Sequence, residues 1–205
     1  MPFKIQTKDL FAQAIAEHQA VLNLLSELNP VLERIAVQIT KTLQNGGKIL
    51  WCGNGGSAAD SQHLAAELVG RFRRERRGLP SIALTTDTSI LTSVANDYGF
   101  EQVFRRQVEA HCVRGDLLIG ISTSGTSKNV CAALRTAREM DAFTVAFTGA
   151  DPALVGTIAH ETLCIPSKNT ARIQECHILC GHMLCDVVDQ FICEAQLEET
   201  RGEAG

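Results

Sequence analysis

The hydrophobic positions follow two regimes along the chain. In the first, Phe11, Ala14, Ile15, His18, Val21, Leu22, Leu25 and Leu28 recur at i, i+3, i+4, i+7 spacing, and Leu32, Ile35, Ala36, Ile39 and Leu43 repeat the pattern. Pro30 separates the two stretches, and Asn45-Gly46-Gly47 closes the second with residues that tolerate positive φ. An N-terminal helical hairpin over 1–46 is predicted. Beyond it, short apolar runs stand at 48–52, 81–85, 116–122, 143–148 and 162–166, with helical patterns at 57–70, 101–113, 127–140 and 170–195. Strands alternating with helices of this length predict right-handed βαβ units around a parallel sheet buried on both faces. The fold class is therefore α/β: a three-layer sandwich of about five parallel strands over 47–195, preceded by the hairpin. The polar stretch 196–205 reads as a frayed tail.

Composition narrows the classes without choosing a function. A chain of 205 residues, 45% hydrophobic and 20% charged, suits one globular domain and excludes a disordered or fibrous protein. A net charge of -4 gives no electrostatic reason to expect nucleic acid as partner. Arg71, Arg73, Arg74, Arg76 and Arg77 form a basic cluster that reads as a solvated face, Arg71 excepted. Eight cysteines in 205 residues, with no C-x-x-C pair, fall short of a disulfide scaffold and read as small buried thiols. The amino terminus carries no apolar run of the secretory kind, and no apolar run approaches the ~18–20 residues that span a bilayer. A cytoplasmic protein without a membrane partner is expected.

Two segments share one grammar of apolar strand, Gly/Ser-rich turn and helix. The first turn is Gly53-Asn54-Gly55-Gly56-Ser57; the second is Ser122-Thr123-Ser124-Gly125-Thr126-Ser127. Ligands of open α/β sheets collect at the carboxyl ends of strands, and free N–H groups at a helix start point at anions. The hydroxyls of Ser122, Thr123, Ser124 and Ser127 add donors suited to phosphate oxygens. Either turn alone is also an ordinary helix cap; the pair points to a ligand. Neither G-x-x-x-x-G-K-[ST] nor G-x-G-x-x-G is present, so a sugar phosphate suits the turns better than a nucleotide.

His63 and Glu67, four apart on the helix that opens at Ser57, share a face along the same cleft. The late helix carries Gln174, Glu175, His177 and His182 among apolar residues. His177 reads equally as a core histidine satisfied by backbone. Gln174 and His182 are eight residues apart, about 12 Å along a straight helix. One small ion cannot be gripped by both from one helix, so either the helix starts after Gln174 or the two come from different subunits.

With these motifs in view, the chain resembles the sugar isomerase (SIS) family, and within it the branch that isomerises sedoheptulose 7-phosphate. The resemblance covers most of the chain and rests on the two turns, Gln62-His63-x-x-x-Glu67, Ala95-Asn96-Asp97, and Arg172-Ile173-Gln174-Glu175-x-His177 with His182 beyond. It implies an aldose–ketose isomerase working through a cis-enediol. It also implies one zinc ion per subunit held by residues matching His63, Glu67, Gln174 and His182, and a homotetramer with sites at subunit boundaries. Glu67 is then the base, provided burial strengthens it, and His182 the second acid/base group. Glu67 cannot be strong ligand and free base at once. Substrate contacts are implied for Asn54, Gly55, Gly56, Ser57, Arg71, Asn96, Asp97, Ser122, Thr123, Ser124, Ser127 and Gln174, while Asp97 could instead cap a turn. Ala171 stands where some relatives carry Asp, so one hydroxyl contact is missing or replaced. Two rivals remain: an SIS adaptor that binds the bacterial replication initiator, which loses the carboxylate matching Glu67, and an SIS enzyme for another sugar phosphate.

Overall fold

The computed structural model describes residues 7–202, with side chains from 8 to 195. Five strands, β1 (Ile49–Gly53), β2 (Ser81–Ala83), β3 (Leu117–Ile121), β4 (Phe143–Thr148) and β5 (Glu161–Cys164), form one parallel sheet in the order β2-β1-β3-β4-β5. The helices are α1 (Thr7–Leu22), α2 (Asn29–Gln44), α3 (Gly56–Val69), α4 (Thr88–Tyr98), α5 (Arg105–His111), α6 (Lys128–Glu139), α7 (Ala153–Ile158) and α8 (Thr170–Gly202).

Alternating strand residues feed two cores. Ile49, Trp51, Leu117, Ile119 and Ile121 pack with Ile35, Ile39, Leu64 and Val188 from α2, α3 and α8. Leu50, Cys52 and Leu118 face Val108, Val130, Leu134 and Val155 from α5, α6 and α7. Every residue of β1 and β3 is buried, as expected for central parallel strands covered on both sides. The chain reverses its winding direction between β1 and β3. Such a switch point leaves a crevice at the carboxyl ends of the two strands.

Several expectations shift in detail. A 3-10 turn at Leu25–Leu28 separates the first two helices, while Pro30 lies in the first turn of α2, where its missing N–H leaves no bond unmade. The pattern at 101–113 resolves into a 3-10 turn, Phe100–Gln102, followed by α5. Two helices escaped the reading of periodicity. The eleven residues of α4 include none that is buried, and α7 has only six. The tail does not begin at 196, because α8 continues to Gly202. The predicted apolar face of α1 is only partly used: Val21 is buried, but Leu10, Phe11 and Ile15 are exposed at 53%, 69% and 59%.

One helix, α8, does reach the length and hydropathy of a membrane span, with a window of mean hydropathy 1.2, but half of it is buried inside the protein. Its polar residues explain why it belongs here. The arginine cluster is a solvated face only in part: Arg71, Arg73 and Arg77 are exposed, whereas Arg76 Nε donates to Asp189 Oδ1 at 2.6 Å with both side chains fully buried. Arg73 and Arg74 each donate to Asp186, at 2.9 and 3.0 Å. The segment after α3 is thus pinned to α8 by charge. All eight cysteines are free thiols; Cys164 and Cys193 are partly exposed and the other six are buried.

Candidate active site

Both Gly/Ser-rich turns stand at the switch point. They follow paired strands, with Gly53 opposite Ile121, so α3 and α6 start side by side although they cover opposite faces of the sheet. Gly55 precedes α3 at φ 55° and ψ −120°, a conformation that costs glycine little. The N-cap side chains of α3 and α6 make no cap bond. The Ser57 and Ala58 amides are taken by the Asn54 and Gly55 carbonyls and that of Val130 by Asn129 Oδ1. Among the described residues, the Gly56, Lys128 and Asn129 amides are left for an anion. Ser57 and Ser122 are buried. Ser122 Oγ donates to Ser127 Oγ at 2.9 Å, and Ser124 and Thr126 hydroxyls meet at 3.0 Å. Thr123 accepts the Gly149 amide through its carbonyl, which ties the second turn to the end of β4.

Asn54 and Asn129 form a reciprocal amide pair between the turns. Asn54 Nδ2 donates to Asn129 Oδ1 at 2.9 Å, and Asn129 Nδ2 returns a bond to Asn54 Oδ1 at 2.8 Å.

Two turns along α3, His63 and Glu67 meet His182 of α8. His63 Nε2 lies 3.1 Å from Glu67 Oε1 and 2.9 Å from His182 Nε2. One donor atom from each of the three falls within 4.8 Å of the others. The His182 ring stacks on Phe72 with centroids 5.2 Å apart, which fixes its plane. Burial lowers the His182 imidazole below its ordinary value; His63 adds to this and Glu67 opposes it.

The donor set suits a zinc ion. Two imidazoles and a carboxylate form a common catalytic triad of ligands that keeps a fourth position open. Two nitrogens at about 2.0–2.1 Å from one tetrahedral ion stand roughly 3.3 Å apart, so the observed pair needs to part by only a few tenths of an ångström.

Gln174 is not in this cluster within one chain. Its carboxamide lies over Gly56, where an added Cβ would meet Nε2 at 2.6 Å. The reason is that α3 and α8 run parallel: Gln174 meets Gly56, His182 meets His63, and Asp189 meets Arg73. Because α8 already begins at Thr170, a late helix start is ruled out as the answer to the spacing of Gln174 and His182.

Three other expected contacts lie apart. Arg71 is exposed beyond α3 and faces Glu75 at 3.5 Å. Asn96 donates to Asp97 at 2.8 Å, and both are exposed near the end of α4. Asp97 does not cap that helix; Asp87 does, accepting the Ile90 amide. At Ala171, the backbone amide donates to Asn169 Oδ1 and so starts α8. His177 is a core residue, buried in full, with Nε2 donating to the Thr148 carbonyl at 3.1 Å.

The sequence reading missed Asn129, Asp60 and Phe72. Asp60 extends the ladder Gly56–Asp60–His63–Glu67, a signal present in the spacing. Burial pushes its carboxyl up to about 6 against the opposing His63, and its Oδ2 is buried without a partner.

The chain matches known proteins over most of its length. Residues 11–149 match the SIS domain family. The phosphoheptose isomerase of Aquifex aeolicus (strain VF5) is 59% identical over 160 residues, 78% of this chain and 84% of that protein. The phosphoheptose isomerase of Roseiflexus sp. (strain RS-1) is 57% identical over 165 residues, 80% of this chain and 84% of its own. The solved phosphoheptose isomerase GmhA from Neisseria gonorrhoeae superposes with a TM-score of 0.85 at 43% identity, covering 90% of this chain and 100% of that one.

Proposed function

The chain belongs to the SIS-domain phosphoheptose isomerases, and from that membership we propose how its cleft works. The enzyme is an aldose–ketose isomerase that converts sedoheptulose 7-phosphate to D-glycero-D-manno-heptose 7-phosphate. The observation that carries the site assignment is the convergence of His63, Glu67 and His182 two turns below a pair of uncapped helix starts.

The phosphate would bind between the turns, on first-turn amides of α3 and α6 and the hydroxyls of Ser57, Ser122, Thr123, Ser124 and Ser127. That anchor leaves the carbonyl end of the open chain to extend along α3 towards His63. Glu67 would take a proton from C1 and return it to C2, passing through the cis-enediol. His182, lying across from His63, would move the proton between the two oxygens. Asn54, Arg71, Asn96 and Asp97 are proposed to contact hydroxyls, although the last three lie exposed and apart from this chain's own turns.

His63, Glu67 and His182, with Gln174 of a neighbouring subunit, would hold one zinc ion. Such an ion supplies Lewis-acid polarisation of the carbonyl. The proposed assembly is a homotetramer with active sites at subunit boundaries. Its support is the apolar surface that a single chain leaves open: Leu10, Phe11 and Ile15 on α1, and Met183, Val187 and Phe191 on α8, the latter three lining a groove against α2. A cytoplasmic location is proposed because charged sugar phosphates do not cross bilayers unaided. The product is proposed to feed lipopolysaccharide or another heptose-containing glycan. A replication adaptor would have no need of Glu67 placed at His63.

The test is incubation of the purified protein with sedoheptulose 7-phosphate in heavy water, with and without chelator, followed by NMR. Aldose carrying deuterium at C2, at a rate that falls with chelator, is expected. No aldose from folded, zinc-loaded protein would overturn the reading.

A further inference from the structure

We propose that Asn129 is a positioning residue, one that sets the width of the phosphate crevice by holding Asn54. Hydrogen bonding within the sheet fixes the strands as far as Gly53 and Ile121. Beyond those residues the two turns diverge, one into α3 and the other into α6, helices on opposite faces. Among the described residues, no hydrogen bond joins the two turns except the Asn54–Asn129 pair. The second turn has other ties, to Phe147 and to Gly149 beyond β4. The first turn, 53–57, has none of that kind. It is otherwise held by the packing of α3 on β1 and of Gln174 over Gly56, so this pair is its one hydrogen-bonded tie to the second among the described residues.

Asn129 is built for the task. It is 3% exposed, and its Oδ1 also accepts the Val130 amide at 2.9 Å. That second bond fixes the side chain before Asn54 arrives and satisfies a first-turn amide of α6 that would otherwise lack a partner. The carboxamide can then both donate and accept across the crevice, which a serine or an aspartate at this position could not do with the same two bonds. An anion gripped from both sides binds well only if the sides stand at one distance. Losing the pair should loosen substrate binding while the His63–Glu67–His182 cluster, two turns further along α3, keeps its geometry.

The inference rests on the isomerase reading, and the experiment separates the two. Steady-state kinetics on sedoheptulose 7-phosphate are measured for the wild type, Asn54→Ala, Asn129→Ala and the double variant. Two net bonds of ordinary strength correspond to about a tenfold rise in KM for Asn129→Ala, with kcat within roughly threefold of wild type. If Asn129 acts through Asn54, the double variant has the KM of Asn54→Ala within about twofold. A KM equal to wild type in folded Asn129→Ala overturns the inference, as does a double variant whose KM is the product of the singles. A wild type without turnover overturns the isomerase reading instead. Should Asn129→Ala not fold, Asn54→Ala breaks the same pair from the other side. Hydrogen exchange over residues 127–131 of that variant is then expected to quicken, and unchanged exchange overturns the inference.

Discussion

Arg76 and Asp189 meet at 2.6 Å with neither side chain exposed to solvent. Arg76 also donates to the carbonyls of Glu67, Leu68 and Arg77, and Asp189 accepts the amides of Arg73 and Arg74. Burial alone would raise the Asp189 carboxyl, but these donors outweigh it and hold it below its ordinary value. The pair closes the C-terminal end of α3, one turn beyond Glu67, and so fixes the wall on which the proposed base stands.

Removing one partner strands a buried charge, which costs about 3–5 kcal/mol. Asp189→Ala should therefore lose that much stability in urea unfolding. The double replacement Arg76→Met with Asp189→Leu, which strands neither charge, should lose less. Equal losses would show that the pair's charge is not what holds the segment.

Stability should also fall in mild acid because of His177. Burial lowers its imidazole from 6.5 to about 4, only partly offset by its bond to Thr148. The unfolded chain then takes up the proton first, so stability is complete above pH 6.5 and declines towards pH 4. A drop of this size is worth roughly 3 kcal/mol. His177→Gln keeps a donor for the Thr148 carbonyl and should flatten this part of the pH profile. An unchanged slope in that variant would assign the loss to another group.

Glu67→Gln keeps the shape of the side chain and removes the base. Turnover should fall about 10²–10⁴-fold, and deuterium at C2 of the aldose should vanish with it. Residual activity within tenfold of wild type would move the proton transfer to another residue.

Gly56→Ala is a small change in a crowded place, since the new Cβ would meet the Gln174 carboxamide at 2.6 Å. Gln174 is flexible enough to move, so the fold should survive. A misplaced carboxamide at this position should lower kcat/KM by about tenfold or more. Normal kinetics would show that Gln174 has no part in the site from this side.

Charge placed on the open apolar surface should separate subunits. Phe11→Glu and Phe191→Glu, at residues 69% and 44% exposed in the single chain, should each reduce the mass seen by light scattering. Activity should fall in step, because Gln174 is proposed to reach the cluster from a neighbour. A fully active monomer would place the whole site in one chain.

Much of the architecture was legible because it follows from local rules. The change of apolar period after Gly47 marks where the hairpin gives way to the sandwich, and the strand runs at 49–53, 117–121 and 143–148 lie within a residue of prediction. The helix α4 was missed although Leu91, Val94 and Ala95 follow helical spacing; they pack only half-buried against the core and no residue of the helix is fully buried, so the stripe is short and weak. Within the arginine cluster, Arg76 misled for a different reason. Charge at 71–77 looks like a surface run until α8 brings Asp186 and Asp189 from more than a hundred residues away. In the site, the His63–Glu67 spacing was visible, whereas the Asn54–Asn129 pair spans 75 residues and shows no periodicity.

The burial of six of the eight thiols also gives the protein an internal indicator of its own opening. Burial pushes the Cys112 thiol up to about 11 and those of Cys180 and Cys185 to about 12, and thiols without thiolate character react slowly. In the native chain, modification should therefore be confined to the partly exposed Cys164 and Cys193, and be slowed at Cys164, whose thiol burial also raises. The other six lie in both cores, so the moment at which each becomes reactive reports which face of the sheet has let go first.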